Sequence, residues 1–318
     1  MLAAPAPKRS LATLSRATAI AAVITQAGIA VTGSVVRVTG SGLGCPTWPQ
    51  CFPGSLVPQP RPEVAAVHQW IEFGNRLLTS LVGLVALACL VVALVRPQRR
   101  RLVLLAATMP LGVVAQAVLG GITVLTGLAW WTVSVHFLVS MVLVWLAVLL
   151  VAAFAEGDAP PRWLFPRPLR DLLRAATTVL AALLIAGTLV TSAGPHAGNA
   201  ATPRLAAGVP AMAQLHADLL VGFLGLLAGL GFALRAVGVP ASVCRRYTVL
   251  VCVVLAQGTL GVVQYLTGVP EVLVSLHVLG AASVVVAMAA FWTSCRVRGH
   301  QPAVAVGDAR PLASAGTT

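Results

Sequence analysis

Charge is what this chain has least of. Aspartate, glutamate, lysine and arginine make up 9% of its 318 residues, against about 25% in a soluble domain. That shortage excludes a solvated globule and, with 58% hydrophobic residues, leaves an integral membrane protein. Acidic groups are the scarcer, 8 against 21 basic ones, for a formal net charge of +13. Such an excess suits nucleic acid when it forms a solvated basic surface. Here the arginines sit in short clusters between apolar runs, so no nucleic-acid partner is expected and lipid is the surrounding medium. No cleavable export signal is expected, because the first seven residues contain no apolar core and the first apolar run is long enough to span. Cys45 and Cys51 have no second ligand pair beside them, which argues against a zinc site.

What is present is a series of eight runs, each close to the 20 or so apolar residues that cross a bilayer. They cover roughly 17 to 37, 68 to 95, 102 to 124, 128 to 153, 173 to 193, 211 to 234, 247 to 267 and 271 to 294. Cations cluster at Lys8, Arg9 and Arg16, at Arg96 to Arg101, from Arg162 to Arg174, at Arg235, Arg245 and Arg246, and at Arg296, Arg298 and Arg310. These clusters alternate with connections poor in Lys and Arg, which places both termini in the cytoplasm of a bacterial-type cell. Trp70, Trp130 and Trp131 are then expected at the outer interface, and Trp163 and Trp292 at the inner one. The expected division is a segment 1–16, a first half 17–154, a cytoplasmic linker 155–172, a second half 173–295 and a disordered tail 296–318.

The halves repeat. AQAVLGGITVLTGL at 115–128 matches AQGTLGVVQYLTGV at 256–269, and VSVHFL at 133–138 matches VSLHVL at 274–279, at one common offset. Four helices separate the copies, so they share an orientation. The fold class expected is all-α and integral to the membrane, with two four-helix bundles related by a pseudo-two-fold axis along the membrane normal.

The repeat pairs His136 with His277 and carries His216 back to Asn75. All four lie about 8 to 14 Å below the outer surface at 1.5 Å per helical residue. Imidazoles facing one another inside a four-helix bundle can hold haem iron; each can equally be a histidine hydrogen-bonded within the bundle. The first half adds a polar stripe at helical spacing, His68, Glu72, Asn75, Arg76 and Thr79. Ionisable groups at membrane depth usually line a cavity or carry function. Glu72 could position a proton, bind water or stabilise a cation, or simply pair with Arg76 one turn on. Arg76 could instead hold a haem propionate. His196 and His300 read as solvated, Asp218 as without a role, and Glu271 as suited to a helix N-terminus.

Between the first two helices runs TGSGLGCPTWPQCFPG. Outside the cytoplasm disulfides persist, so a Cys45–Cys51 bond is expected, with two free thiols as the alternative. Cys89, Cys244, Cys252 and Cys295 read as reduced and inert.

Taken together, the eight helices, VRVTGSGLGCPTWPQC, EFGNR, the repeated AQ-x-x-LG and the histidines of helices 4, 6 and 8 resemble the haem A synthase family over about residues 17 to 295. That resemblance implies oxidation of a methyl group of haem O to a formyl group, by successive hydroxylations and loss of water, for cytochrome oxidase biogenesis. It implies a haem b cofactor on His216 and His277, haem O as substrate in the first half, and an essential glutamate matching Glu72. Many members carry a histidine where Asn75 stands here. The substrate iron is then held by His136 alone, the preferred reading, or by His136 with His68. A haem O synthase or oxidase assembly factor is the expected delivery partner, a homo-oligomer is open, and the electron donor is not identified. A non-catalytic dihaem cytochrome fed by quinol and a transporter with parallel repeats are the competing readings.

Overall fold

The computed structural model describes residues 8 to 95 and 99 to 299. The sequence expectations for Arg96, His300, Arg310 and the tail beyond 299 lie outside the described residues. Eight helices dominate: α1 (Lys8–Val38), α2 (Ala66–Leu94), α3 (Arg100–Leu125), α4 (Trp130–Ala155), α5 (Arg167–Ala193), α6 (Val209–Val237), α7 (Ala241–Leu266) and α8 (Glu271–Ser294). All eight are long and apolar enough to cross a membrane, and the chain is an all-α, multi-pass membrane protein. Helices α1 and α5 begin ahead of their apolar runs, at Lys8 rather than near 17 and at Arg167 rather than near 173. Pro166 caps α5 and Pro168 sits in its first turn, where a missing N–H leaves no hydrogen bond unmade.

The two sets of four helices pack differently. In the first, α1 lies against α2 and α4, and α3 against α2 and α4, closing a ring. In the second, α5 pairs with α6 and α7 with α8, but α6 barely meets α7. The buried residues of α6 are Phe223, Leu227, Leu230 and Leu234, and those of α7 are Val243, Leu250 and Val254. Because the two helices run in opposite directions, all of these lie toward the short α6–α7 turn. Packing of this half is concentrated there, and its other end is splayed. α8 turns its remaining surface to α1 and α4, where Met141, Val144, Ala282 and Val285 form a buried seam.

The α3–α4 and α7–α8 turns are built alike. Gly127, Leu128, Gly268 and Val269 all have positive φ. The Leu128 N–H donates to the Thr123 carbonyl at 2.9 Å and the Val269 N–H to that of Gln264 at 2.8 Å. A left-handed conformation costs a non-glycine residue about 1–2 kcal/mol. Its appearance at matched repeat positions shows that the turn geometry dictates it.

Residues 155–172 do more than separate the halves. Strand β1 (Arg162–Trp163) pairs antiparallel with β2 (Arg296–Val297), which follows α8 directly. Arg99 secures the same region, donating to the carbonyls of Ala153 and Glu156 at 2.9 and 2.6 Å and pairing with Asp158 at 2.8 Å. Trp163 meets Trp292 edge-on at 5.5 Å, and Trp292 meets Trp145 at 6.1 Å. Trp163 and Trp292 therefore pack between elements, whereas Trp70 and Trp131 remain 60% and 53% exposed. The strand pair escaped the sequence reading because two residues carry no periodicity.

Candidate functional site

The α1–α2 loop is tied down from inside. Cys45 and Cys51 form the expected disulfide, fully buried with Phe52 and against Phe73. Glu72 is only 5% exposed, and N–H groups converge on its carboxylate. The Cys45 N–H donates to Oε2 at 2.8 Å, and Arg76 donates to Oε1 from Nε at 3.2 Å and from Nη2 at 2.6 Å. Arg76 also reaches the loop carbonyls of Thr47 (3.0 Å) and Gln50 (3.3 Å) through Nη1, and that of Cys45 (2.7 Å) through Nη2. Spacing of four residues makes the Glu72–Arg76 pair local, and the loop makes it a clamp. The guanidinium read from sequence as a propionate ligand is committed in this structure to the loop.

The rest of the stripe faces α1 and its exit. His68 Nδ1 and Ser41 Oγ lie 2.9 Å apart, and Thr32 Oγ1 donates to Asn75 Oδ1 at 2.7 Å. Gly44 explains itself here, since a Cβ at that position would overlap the His68 backbone carbonyl.

His136 lies six residues beyond the start of α4 and His277 six beyond that of α8, about 9 Å along each axis. The matched depth expected from the repeat therefore appears in the helices themselves. Gln116 Nε2 donates to the His136 carbonyl at 3.0 Å, as Gln257 Nε2 does to that of His277 at 2.9 Å. Gln116 also donates to Ser140; the second half has Ala281 at the corresponding position. Both imidazoles rest on glycine. A Cβ at Gly120 would lie 3.4 Å from His136 Cε1, and one at Gly261 would lie 3.0 Å from His277 Cε1. The contacts of His136 run to α3, while those of the helix-2 stripe run to α1 and the disulfide loop. Among the described residues no hydrogen bond joins the two groups.

At the splayed end of the second half His216 and His277 face one another, with ring centroids 6.4 Å apart and planes at 59°. His216 Nδ1 lies 3.0 Å from the Leu183 carbonyl. A carbonyl only accepts, so Nδ1 carries the hydrogen and Nε2 keeps its lone pair for a metal. Gly187 provides the same close approach, a Cβ there falling 3.1 Å from His216 Cε1.

These residues fit an iron porphyrin. Two metal–nitrogen bonds of about 2 Å each, plus the inner half-widths of two imidazoles, add to about 6 Å, close to the separation found. Among the described residues no three of His, Cys, Asp and Glu come together to hold a bare metal ion. A porphyrin supplies the remaining four nitrogens, so two imidazoles suffice.

Other sequence expectations divide. Cys89, Cys244, Cys252 and Cys295 are free thiols, and Glu271 opens α8. Asp218 accepts from Gln214 at 2.7 Å. His196 is not simply solvated: its Nε2 lies 2.9 Å from the Val269 carbonyl, and its own carbonyl accepts from Arg37 Nε at 2.7 Å. It fastens the α5–α6 loop to α1 and to the α7–α8 turn. Sequence offered no signal for that, because the partners are backbone atoms brought together only by the fold.

The chain is similar to known proteins of one kind. A segment of the chain is 30% identical over 135 residues to a heme A synthase of Geobacillus kaustophilus, covering 42% of this chain and 40% of the relative. Another is 36% identical over 138 residues to a heme A synthase of Symbiobacterium thermophilum, covering 43% and 42%. A third is 35% identical over 130 residues to a heme A synthase of Lysinibacillus sphaericus, covering 39% of each. The aligned segments thus span about two fifths of these curated relatives. The match to the COX15-CtaA family is far longer, running over residues 16–289 from α1 into α8, and by it the chain belongs to that family of cytochrome oxidase assembly proteins.

Proposed function

We propose that the protein is a haem A synthase, oxidising a methyl group of haem O to a formyl group by successive hydroxylations and loss of water. The observation that carries this reading is the pairing of two unlike sites on one scaffold. One has two imidazoles facing at the span of a bound iron. The first four helices instead carry His136 on α4 and, apart from it on α2, the buried carboxylate Glu72 with His68 on the same stripe. Electron transfer alone gives no reason for the second.

In this reading His216 and His277 hold haem b, which when bound supplies one-electron transfer. His216 offers Nε2 because Leu183 fixes its tautomer. His136 binds the substrate iron from α4, its backbone carbonyl held by Gln116 and its ring seated on Gly120. Asn75 stands where the second half has His216 and is engaged with Thr32, so it competes poorly for iron; His68 meets Ser41 through Nδ1, which leaves its Nε2 free as a second candidate nitrogen beside His136. Glu72 is held by Cys45 and Arg76 and so suits electrostatic stabilisation of positive charge better than large movement. The disulfide loop sets the position of that charge.

Both termini lie in the cytoplasm in this reading, and both haem sites lie near the extracytoplasmic face, as the arginine clusters imply. The two halves are duplicated bundles, bounded near 17–154 and 173–295, related by a pseudo-two-fold axis along the membrane normal. Haem O arrives from a haem O synthase or an assembly factor. Expression in cells that make haem O but no haem A is the test. Haem A among the extracted pigments is the expected result, and unchanged haem O alone would overturn the proposal.

A further inference from the structure

The two facing imidazoles are supported unequally. His216 has the Leu183 carbonyl behind its Nδ1 at 3.0 Å. His277 Nδ1 is buried and has no hydrogen-bond partner among the described residues, and the Oε1 of Gln264 is in the same condition. One is a nitrogen able to donate, the other an amide oxygen able only to accept. Two orphaned buried atoms of complementary kind on neighbouring helices invite one bond, since a buried donor or acceptor left unmet is destabilising.

The register of α7 brings them together. Gly261 is the residue on which His277 rests, a Cβ there falling 3.0 Å from Cε1 and 3.6 Å from Nδ1. The edge of the ring that carries Nδ1 therefore faces α7 at Gly261. Gln264 is three residues further along the same helix, hence on the same face. A helical side chain leans toward the N-terminus of its own helix, over residues three and four earlier. The Gln264 amide is thus directed over Gly261, toward that edge. Gln257, the other glutamine of α7, is placed differently. Its Nε2 donates to the His277 backbone carbonyl at 2.9 Å, and a Cβ at Gly280 would overlap its Oε1, so it lies toward the far side of His277.

We propose that Gln264 is the positioning residue of His277, its Oε1 accepting the Nδ1–H so that Nε2 is presented to the haem b iron. Each axial imidazole then has an oxygen acceptor behind it, the Leu183 carbonyl for one and the Gln264 amide for the other. In the first half His136 Nδ1 is likewise buried without a partner among the described residues, but no glutamine matches Gln264. Thr123 occupies the position corresponding to Gln264, and its hydroxyl donates to the Leu119 carbonyl at 2.8 Å. An acceptor behind an axial histidine makes it a stronger donor to iron and improves retention. That suits a resident cofactor, while a site without one suits a haem that must arrive and leave.

The inference rests on haem b binding to His216 and His277, and the experiment separates the two ideas. Full-length protein is purified from haem-replete cells as wild type, Gln264→Leu and Gln264→Glu. Haem content, the low-spin electron paramagnetic resonance signal and the midpoint potential are then measured. Gln264→Leu should lower haem affinity about ten- to hundred-fold, shift or broaden the low-spin signal and move the potential positive. Gln264→Glu, which keeps an acceptor and adds negative charge, should move the potential negative. Haem retained in Gln264→Leu with signal and potential unchanged would overturn the proposal. If Gln264→Leu fails to accumulate, Gln264→Glu decides alone: a negative shift supports the bond, and an unchanged or positive potential contradicts it. Wild type that carries no haem at all would overturn the haem b site itself.

Discussion

The first four helices close into a ring and the last four do not. In the closed half the polar stripe of α2 is tied to its surroundings, Glu72 to Arg76 and Cys45, Asn75 to Thr32 and His68 Nδ1 to Ser41, while His136 Nδ1 has no partner among the described residues. In the open half two imidazoles are left facing each other across 6.4 Å. Yet the turns, the glutamine-to-carbonyl bonds and the glycine seats recur at matched positions. On the proposed function, the difference is how one scaffold is set for holding in one half and for reacting in the other. His216 against Asn75 changes the number of imidazoles, and Gln264 against Thr123 changes what stands behind one of them.

The comparison can be broken most severely at Glu72. Replacing it with glutamine keeps the shape and removes the charge, so haem A formation should fall about 100- to 10,000-fold. Haem b content should stay at the wild-type level, checked by pigment extraction and optical spectra of the same preparations. Equal loss of both would mean that Glu72 supports the whole fold rather than the first site.

The glycine seats sharpen the contrast next. An added methyl at Gly261 falls 3.0 Å from His277, while one at Gly120 falls 3.4 Å from His136. Overpacking of this kind costs about 1–3 kcal/mol. Gly261→Ala should therefore release haem b measurably during purification, and Gly120→Ala should leave it bound.

Smaller again is the loop. Opening the Cys45–Cys51 bond with Cys51→Ser removes a closure across a separation of six residues, about 2 kcal/mol on the chain-entropy estimate. A lower melting temperature and reduced haem A formation are expected, because the loop supplies the Cys45 N–H to Glu72. The haem b spectrum should be unaffected. Least of all, Asn75→Ala removes one hydrogen bond, with Thr32, and should cost about 1 kcal/mol of stability. A large loss of substrate haem in that variant would instead make Asn75 a ligand.

Much of this was legible in the chain. The eight spans follow from apolar length, and the equal depth of His136 and His277 follows from the repeat. The Cys45–Cys51 bond follows from which side of the membrane the loop should occupy. What sequence hid was the destination of hydrogen bonds. Arg76 was visible as a guanidinium on a polar stripe, but its loop partners are backbone carbonyls, which have no sequence signature. His196 was misjudged for the same reason. Gln264 shows the limit in another way, being an ordinary polar residue until Gly261, three positions earlier, is known to seat His277. The splay of α6 from α7 was also invisible, since both helices are apolar enough to span and only their packing distinguishes the open end.

The division of labour between the halves is tested most directly by purifying wild type, His136→Ala and His277→Ala from cells that make haem O, and recording low-spin spectra and extracted pigments for each. The expected result is that His277→Ala loses the low-spin haem b signal while His136→Ala keeps it and yields no haem A. A low-spin signal that survives in His277→Ala, or vanishes in His136→Ala, would contradict the assignment of cofactor and substrate to the two sites.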